Sequence, residues 1–129
     1  MEHTVQTADA KTVNTWLENK EILLIDVRET SEFDKEHIPG ALLMPLSAFD
    51  PELFPIMPGT KLVLHCAIGK RSEAVGKMLL NEGHTAVLNL EGGLHAWKAA
   101  GFDTEEPYIA PTPTPKPETA GVQSSGFVQ

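Results

Sequence analysis

The chain has one cysteine, Cys66, and its surroundings favour a reactive thiol. It directly follows the predicted strand at residues 62–65, and Ser72 is expected to cap the helix that comes next. Backbone N–H groups that converge at a helix N-terminus form an anion site, and nearby cations lower the pKa of a thiol. We therefore expect Cys66 to be a thiolate at neutral pH. The residues expected to bind a substrate beside it are Ala67, Ile68, Gly69, Lys70, Arg71 and Ser72.

Several of these residues also have an ordinary structural interpretation. A free cysteine is more often an inert core residue, but the position of Cys66 at the end of an apolar run favours the reactive alternative. Arg71 is expected, with equal weight, either to bind a donor anion or to pair with an acidic neighbour and shape the turn. Lys70 is the better candidate to face a substrate. His65 points to the opposite face of its strand and is expected to be structural.

A second polar group follows the first long apolar run, at residues 22–25. Asp26 and Arg28 lie at the end of this run, and Glu32 comes shortly after them. Carboxylates and guanidinium groups at a strand end commonly support the neighbouring loops through hydrogen bonds and ion pairs. We expect structural support from Asp26 and Arg28, with Glu32 as a partner for Arg28.

Short apolar runs alternate with helical patterns along the chain. The predicted strands are residues 22–25, 41–44, 62–64 and 86–88, each apolar on consecutive positions, as in parallel strands covered on both faces. The predicted helices follow Asp9, occupy 47–54 in short and irregular form, run from Ser72 to Gly83, and surround Leu94 and Trp97. The alternation predicts an α/β fold, a single domain with a mainly parallel central sheet flanked by helices.

Composition limits the class of protein. A hydrophobic share of 41% in 129 residues is enough for one core, and a single cysteine excludes an internal disulfide and a thiolate-rich metal cluster. The net charge of −8 argues against a nucleic-acid partner, which needs a surplus of Lys and Arg. No apolar run is long enough to span a membrane, and no signal peptide is evident, so we expect no membrane partner and a cytoplasmic location.

The composition changes near residue 104. Residues 1–104 carry the α/β pattern, whereas residues 105–129 are rich in Pro, Thr, Ser and Gly. Such a segment has too little apolar surface to offset the entropy of ordering it. We therefore predict a domain over 1–104 and a Pro-rich flexible tail or linker over 105–129, with a partner-docking segment as the less favoured alternative.

Three motifs, in this order along the chain, resemble those of rhodanese-like sulfurtransferase domains. The first motif is Leu24-Ile25-Asp26-Val27-Arg28, followed by Glu32-Phe33 and by His37-Ile38-Pro39-Gly40-Ala41. The second motif is Cys66-Ala67-Ile68-Gly69-Lys70-Arg71-Ser72. The third motif is Glu91-Gly92-Gly93-Leu94, followed by Trp97 and Gly101. Together they cover about residues 8–104. Glu36 departs from the family pattern, which commonly has glycine there, but it belongs to a turn outside the expected chemistry.

The resemblance implies a single rhodanese-like domain in which Cys66 carries sulfur as a persulfide, with no metal or organic cofactor. The implied partners are a small-molecule donor, thiosulfate or a low-molecular-weight persulfide, and a thiol or cyanide acceptor. A sulfur-carrier or sensor module that serves a protein partner is the alternative. A cysteine phosphatase or arsenate reductase is less favoured, because the four residues between Cys66 and Arg71 are one fewer than in cysteine phosphatases. A shorter ring of N–H groups suits one added sulfur atom.

Overall fold

The computed structural model describes residues 5–107, which form alternating strands and helices. In chain order the elements are β1 (Gln6–Ala8), α1 (Ala10–Glu18), β2 (Ile22–Asp26), α2 (Thr30–Lys35), β3 (Leu42–Leu43), a 3₁₀ turn (Leu46–Ala48), β4 (Lys61–His65), α3 (Lys70–Asn81), β5 (Val87–Leu90) and α4 (Gly93–Ala99). No helix in this part of the chain is long and apolar enough to cross a membrane.

The five strands form one sheet in the order β1-β5-β4-β2-β3, and every neighbouring pair is parallel. The predicted α/β fold with a parallel sheet is therefore confirmed. The register places Asp26 beside His65 on the central strands and Leu64 beside Asn89. Because all the strands run the same way, their carboxyl ends meet at one edge, where ligands bind in folds of this type.

Side chains that alternate along the strands fill two separate cores. On β2, Leu24 packs into the core beneath α1 and α4, whereas the next residue, Ile25, packs into the core beneath α3. Val63 and Leu64 divide in the same way on β4. These strands are apolar on consecutive residues because helices cover both faces of the sheet.

The elements that the sequence did not predict have little or no buried apolar surface. The strand β1 has only three residues, two of them exposed, and lies at the edge of the sheet. The helix α2 has no buried residue and is stabilised by a capping box between Glu29 and Glu32. The helix predicted over 47–54 is reduced to the 3₁₀ turn, because the prolines of this segment do not continue a helix.

The predicted boundary near residue 104 also differs slightly from the structure. Glu105 exchanges two backbone hydrogen bonds with His37, with N···O distances of 2.9 and 2.7 Å, so it pairs with the α/β domain. The rest of the predicted tail, from residue 108 onward, lies outside the described residues.

Candidate active site

Cys66 lies at the carboxyl edge of the sheet, immediately after the central strand β4. It is only 1% exposed, and the loop 67–69 connects it to the N-terminus of α3. This strand–loop–helix arrangement is the one that the sequence predicted for its single cysteine.

Three hydrogen-bond donors converge on the sulfur atom of Cys66. The backbone N–H of Gly69 lies 3.1 Å from Sγ, and the N–H and hydroxyl of Ser72 lie at 3.5 and 3.4 Å. Burial raises the pKa of the Cys66 thiol, but the Ser72 hydroxyl and the N–H groups of Ser72 and Gly69 lower it. The N–H of Ile68 adds to them, and the net pKa lies below the ordinary value for cysteine. The loop therefore favours a thiolate.

The first turn of α3 differs from the prediction that Ser72 would be its N-cap. The helix begins at Lys70, and the N-cap is Gly69, whose φ of 102° lies in the left-handed region. A glycine adopts this conformation without a steric penalty, and here it brings its own N–H toward the sulfur. Ser72 thus lies inside the first turn, where both its N–H and its side chain reach Cys66.

Asn89 is a site residue that the sequence analysis missed. Its side chain is buried on β5, where Oδ1 accepts a hydrogen bond from the Ser72 hydroxyl at 2.6 Å. Its Nδ2 donates to the carbonyl of Gly69 at 2.9 Å. One side chain therefore contacts Ser72 and Gly69, which supply the three donors nearest to the Cys66 sulfur. The one signal in the sequence was a polar residue within an otherwise apolar strand, since a buried amide needs specific partners.

The N-terminus of α4 closes the site from the other side. The N–H groups of Leu94 and His95 donate to the carbonyls of Cys66 and Ala67 at 2.8 and 3.0 Å. The approach is so close that a Cβ on Gly93 would clash with these two backbone groups. Gly93, in the third motif, thus allows the Cys66 loop to pack directly against α4.

Arg71 pairs with an acidic neighbour, which is one of its two expected roles. Its guanidinium group makes two hydrogen bonds with the Glu32 carboxylate, at 2.9 and 3.0 Å. The prediction that Glu32 would pair with Arg28 is therefore wrong, because α2 turns Glu32 toward α3 instead. Arg71 holds the pKa of Glu32 at about 2, and Glu32 in turn raises the pKa of Arg71.

The remaining loop residues lie around the mouth of the site. Ile68 is 59% exposed, Lys70 is exposed, and Ala67 is half-buried. Lys70 is thus placed where a side chain could meet a molecule that approaches from solvent. The exposure of Ile68 is unusual for an isoleucine and gives the mouth an apolar part.

Asp26 and Arg28 form the expected supporting ion pair below the loop. The guanidinium group donates to the carboxylate at 2.7 to 3.1 Å and to the carbonyl of Glu36 at 2.7 Å. Both side chains are buried, and Nε2 of His65 lies 3.4 Å from Asp26 without forming a hydrogen bond to it. Burial lowers the pKa of His65, which fits a neutral, structural imidazole.

Three curated relatives are similar in sequence to this chain. An uncharacterized protein of Synechocystis is 38% identical over 81% of this chain and 59% of its own length. A sulfurtransferase of Allochromatium vinosum is 32% identical over 73% of this chain and 84% of its own. A putative sulfur carrier protein of Bacillus subtilis is 30% identical over 57% of this chain and 40% of its own. The chain thus spans less than two thirds of the length of the Synechocystis protein and of the Bacillus subtilis protein.

Two solved structures are similar to this chain in fold and in sequence. A rhodanese-like domain from Anabaena superimposes with a TM-score of 0.68 at 28% identity, covering 83% of both chains. A thiosulfate sulfurtransferase from Pseudomonas aeruginosa superimposes with a TM-score of 0.69 at 25% identity, covering 82% of this chain and 20% of that one. A family model for the rhodanese-like domain matches residues 9–100. Because this match spans most of the described structure, the chain belongs to the rhodanese-like domain family.

Proposed function

We propose that the protein is a sulfurtransferase that carries sulfane sulfur on Cys66 as a persulfide. The observation that carries this proposal is the convergence of Gly69 and Ser72 donors on Sγ, at 3.1 to 3.5 Å. A thiolate is the nucleophilic form of cysteine, and these donors favour it. The names of two similar proteins, a sulfurtransferase and a thiosulfate sulfurtransferase, support the same chemistry.

The first step transfers sulfur from the donor to Cys66. The thiolate attacks the outer sulfur of thiosulfate, the S–S bond of the donor breaks, and sulfite leaves with the electron pair of that bond. Cys66 then holds one additional sulfur with a negative charge. A small-molecule persulfide reacts in the same way, with its thiolate as the leaving group. We place the charged terminal sulfur within the loop, where N–H groups act as an oxyanion hole does.

The second step returns Cys66 to its starting state. The acceptor, a thiolate or cyanide, attacks the terminal sulfur and forms a new bond to it, and the Cys66 thiolate leaves. The same donors that favour the thiolate of the free protein make it a better leaving group here. The two transfers balance without an oxidant or a reductant.

Access to the site follows from burial and charge. Cys66 is almost fully buried, so only a narrow donor with an accessible terminal sulfur reaches Sγ. The exposed Lys70 supplies positive charge for an anionic donor, whereas the charge of Arg71 is paired with Glu32. The overall charge of −8 opposes such donors, but salt screens charges more than about 8 Å away.

Intact-protein mass spectrometry tests the proposal directly. The protein is incubated with thiosulfate or glutathione persulfide, and we expect an adduct of about 32 Da that cyanide or excess thiol removes. Cys66→Ser is expected to form no adduct. Ser31→Ala, an exposed position on α2, serves as the matched control and should load normally. A wild-type protein that accepts sulfur from neither donor would contradict the proposal.

A second candidate is a sulfur carrier whose acceptor is a protein. The similarity to a putative sulfur carrier protein of Bacillus subtilis favours it, and the loaded Cys66 is common to both functions. The acceptor step separates them. Rapid unloading by cyanide and small thiols supports the small-molecule enzyme, whereas a loaded protein that resists both points to a protein acceptor.

Phosphatase or arsenate reductase activity is the least favoured function for this site. In the loop, Arg71 is bound to Glu32 by two hydrogen bonds, so its charge is neutralised by a carboxylate. Hydrolysis of p-nitrophenyl phosphate, together with failure to load sulfur, would reverse this order.

A further inference from the structure

The hydrogen bonds around Asn89 fix which way its side-chain amide faces. The carbonyl of Gly69 accepts only, so the Asn89 atom at 2.9 Å from it must be the donor Nδ2. The opposite atom, Oδ1, therefore faces Ser72, and as an acceptor it takes the hydroxyl proton at 2.6 Å. A flipped amide would place two acceptors against each other at the Gly69 end.

The Ser72 hydroxyl has one proton and two neighbours that can take it. Asn89 Oδ1 lies at 2.6 Å and Cys66 Sγ at 3.4 Å, so the shorter and stronger bond is the one to Asn89. While the proton points at Asn89, the oxygen of Ser72 presents a lone pair to the sulfur. A Cys66 thiol can then donate its own S–H to that oxygen. All three groups are satisfied in this arrangement.

We infer that Asn89 is a positioning residue that fixes the direction of the Ser72 hydroxyl, which turns toward Cys66 only when Cys66 becomes a thiolate. In the thiolate state the hydroxyl donates to Sγ, and Asn89 Oδ1, which is buried, loses its partner. Asn89 thus favours the thiol through Ser72, while its Nδ2 favours the thiolate by holding Gly69 in place. The two ends of one side chain act in opposite directions on the same sulfur.

The direction of the Ser72 hydroxyl also depends on whether Cys66 carries sulfur, which rests on the proposed function. A persulfide moves the negative charge from Sγ to the terminal sulfur, so the hydroxyl turns back to Asn89 after loading. When the acceptor removes the terminal sulfur, Cys66 leaves as a thiolate and the hydroxyl turns again. Asn89 therefore couples the direction of one hydroxyl to the sulfur-loading state of the protein.

The other charged and titratable groups near Cys66 keep their contacts when the Ser72 hydroxyl changes direction. Arg71 faces the thiolate from α3 and is bound to Glu32 on α2, and His65 contacts the Cys66 carbonyl from below with Asp26 behind it. None of them contacts Asn89 or the Ser72 hydroxyl through a hydrogen bond in the described part of the chain. Substitutions at Asn89 and Ser72 therefore leave this charge set in place.

A double-mutant cycle on the thiol pKa tests the inference without any sulfur transfer. The pKa is read from thiolate absorbance and from the pH dependence of iodoacetamide alkylation in wild type, Asn89→Leu, Ser72→Ala and the double variant. With Ser72 present, loss of Asn89 removes both its effect through Ser72, which favours the thiol, and its effect through Gly69, which favours the thiolate. With alanine at 72, only the effect through Gly69 is lost. We therefore expect Asn89→Leu to change the Cys66 pKa differently in the two backgrounds. With serine at 72, the change should lie about half a unit to one unit lower than with alanine at 72, which is the size of one hydrogen bond.

The controls separate this role from a merely structural one. Asn14→Leu, on α1, which packs on the opposite face of the sheet from α3, should leave the Cys66 pKa unchanged. Asn89→Ala repeats the cycle with a smaller residue if leucine does not fold. In the wild-type protein, the Asn89 ¹³Cγ chemical shift should titrate with the Cys66 midpoint, and this titration should shrink in Ser72→Ala.

Two results would overturn the inference. One is an effect of Asn89 on the Cys66 pKa that is the same with serine and with alanine at position 72. The other is an Asn89 ¹³Cγ shift that does not move as Cys66 titrates. Because neither readout involves a sulfur donor, failure of the proposed function in the mass experiment leaves this test intact.

Discussion

Arg71 and Glu32 form a two-bond ion pair that joins the first turn of α3 to α2, with N···O distances of 2.9 and 3.0 Å. Of the two cations that follow Cys66, Lys70 and Arg71, the second is therefore already bound to a carboxylate of the same chain. This pair explains why α2 forms although it buries no residue: its Glu32 serves both the capping box and Arg71.

Glu32→Gln should remove the charge of this pair and keep the amide in the same space. The pKa of Glu32 falls from 4.5 to about 2, so its contribution to stability is complete above pH 4.5 and is lost as the pH falls toward 2. Both side chains are 37% exposed, so solvent screening limits the loss at pH 7 to at most about 1 kcal/mol.

Urea unfolding at pH 7 and at pH 3 measures this effect. The difference between wild type and Glu32→Gln should be smaller at pH 3. Glu52→Gln, at an exposed position, is the matched control and should differ little from wild type at either pH. A deficit in Glu32→Gln that grows as the pH falls would contradict the expected direction of this pH dependence.

Cys66 should react as a thiolate below the ordinary pH range of a cysteine. We expect the rate of iodoacetamide alkylation in the folded protein to inflect at a lower pH than in the unfolded chain, because the Ser72 and Gly69 donors outweigh burial and lower the pKa of the Cys66 thiol. The control is the same thiol in the urea-unfolded chain, which should inflect near about 8.5. A lowered pKa also means that this site adds stability above the unfolded-state value and loses it as the pH falls through the folded-state value.

An inflection in the folded protein at or above that of the unfolded chain would show that burial dominates. Cys66 would then fit the inert-core alternative, which is the common one for a free cysteine.

The central part of the fold could be predicted from the sequence because burial is reflected directly in residue type. Strands such as β2 and β4 are covered on both faces, and the resulting apolar runs are unambiguous. The position of Cys66 at the end of one such run was enough to place it at the carboxyl edge of the sheet, where ligands bind in folds of this type.

The parts that could not be predicted depend on contacts between distant positions. Glu32 has two cationic candidates, Arg28 and Arg71, and only the path of α2 decides between them. Asn89 looks like one polar residue in a strand, and its role depends on the register that sets β5 beside β4. The start of a helix is also poorly defined by residue type alone: a glycine in the left-handed region replaced the expected serine cap of α3.

Gly93→Ala should disrupt the contact between α4 and the Cys66 loop. The residue has a φ of 58°, and the added Cβ would clash with the carbonyl of Cys66 and the backbone of Ala67. Neither backbone group can move without breaking hydrogen bonds to Leu94 and His95. We expect a loss of about 2–5 kcal/mol in the free energy of unfolding, the sum of backbone strain and steric overlap.

Gly101→Ala provides the matched control, because its φ of 87° is also positive but no atom lies within 4 Å of an added Cβ. Its loss should be limited to backbone strain, about 1–2 kcal/mol. Urea unfolding of both variants compares them, and equal losses would mean that close packing against the loop contributes nothing.

Arg28→Met should destabilise the protein far more than a substitution in an exposed ion pair. Arg28 and Asp26 are 5% and 0% exposed, so the variant leaves the Asp26 carboxylate buried without its cation, and the carbonyl of Glu36 loses a donor. Breaking one side of a buried pair costs about 3–5 kcal/mol. Lys98→Met breaks an exposed pair with Glu36, where the lysine is 52% exposed, and should cost at most about 1 kcal/mol.

The double variant Asp26→Asn/Arg28→Met separates lost attraction from uncompensated charge. Because it removes both charges, it should be more stable than Arg28→Met alone; the three side-chain hydrogen bonds are already lost with the guanidinium group, and an amide oxygen at position 26 can still accept the backbone N–H of position 28. Urea unfolding at pH 7 measures all three variants. If the double variant were the least stable of them, the buried pair itself, rather than the desolvated carboxylate, would be the main source of stability beneath the Cys66 loop.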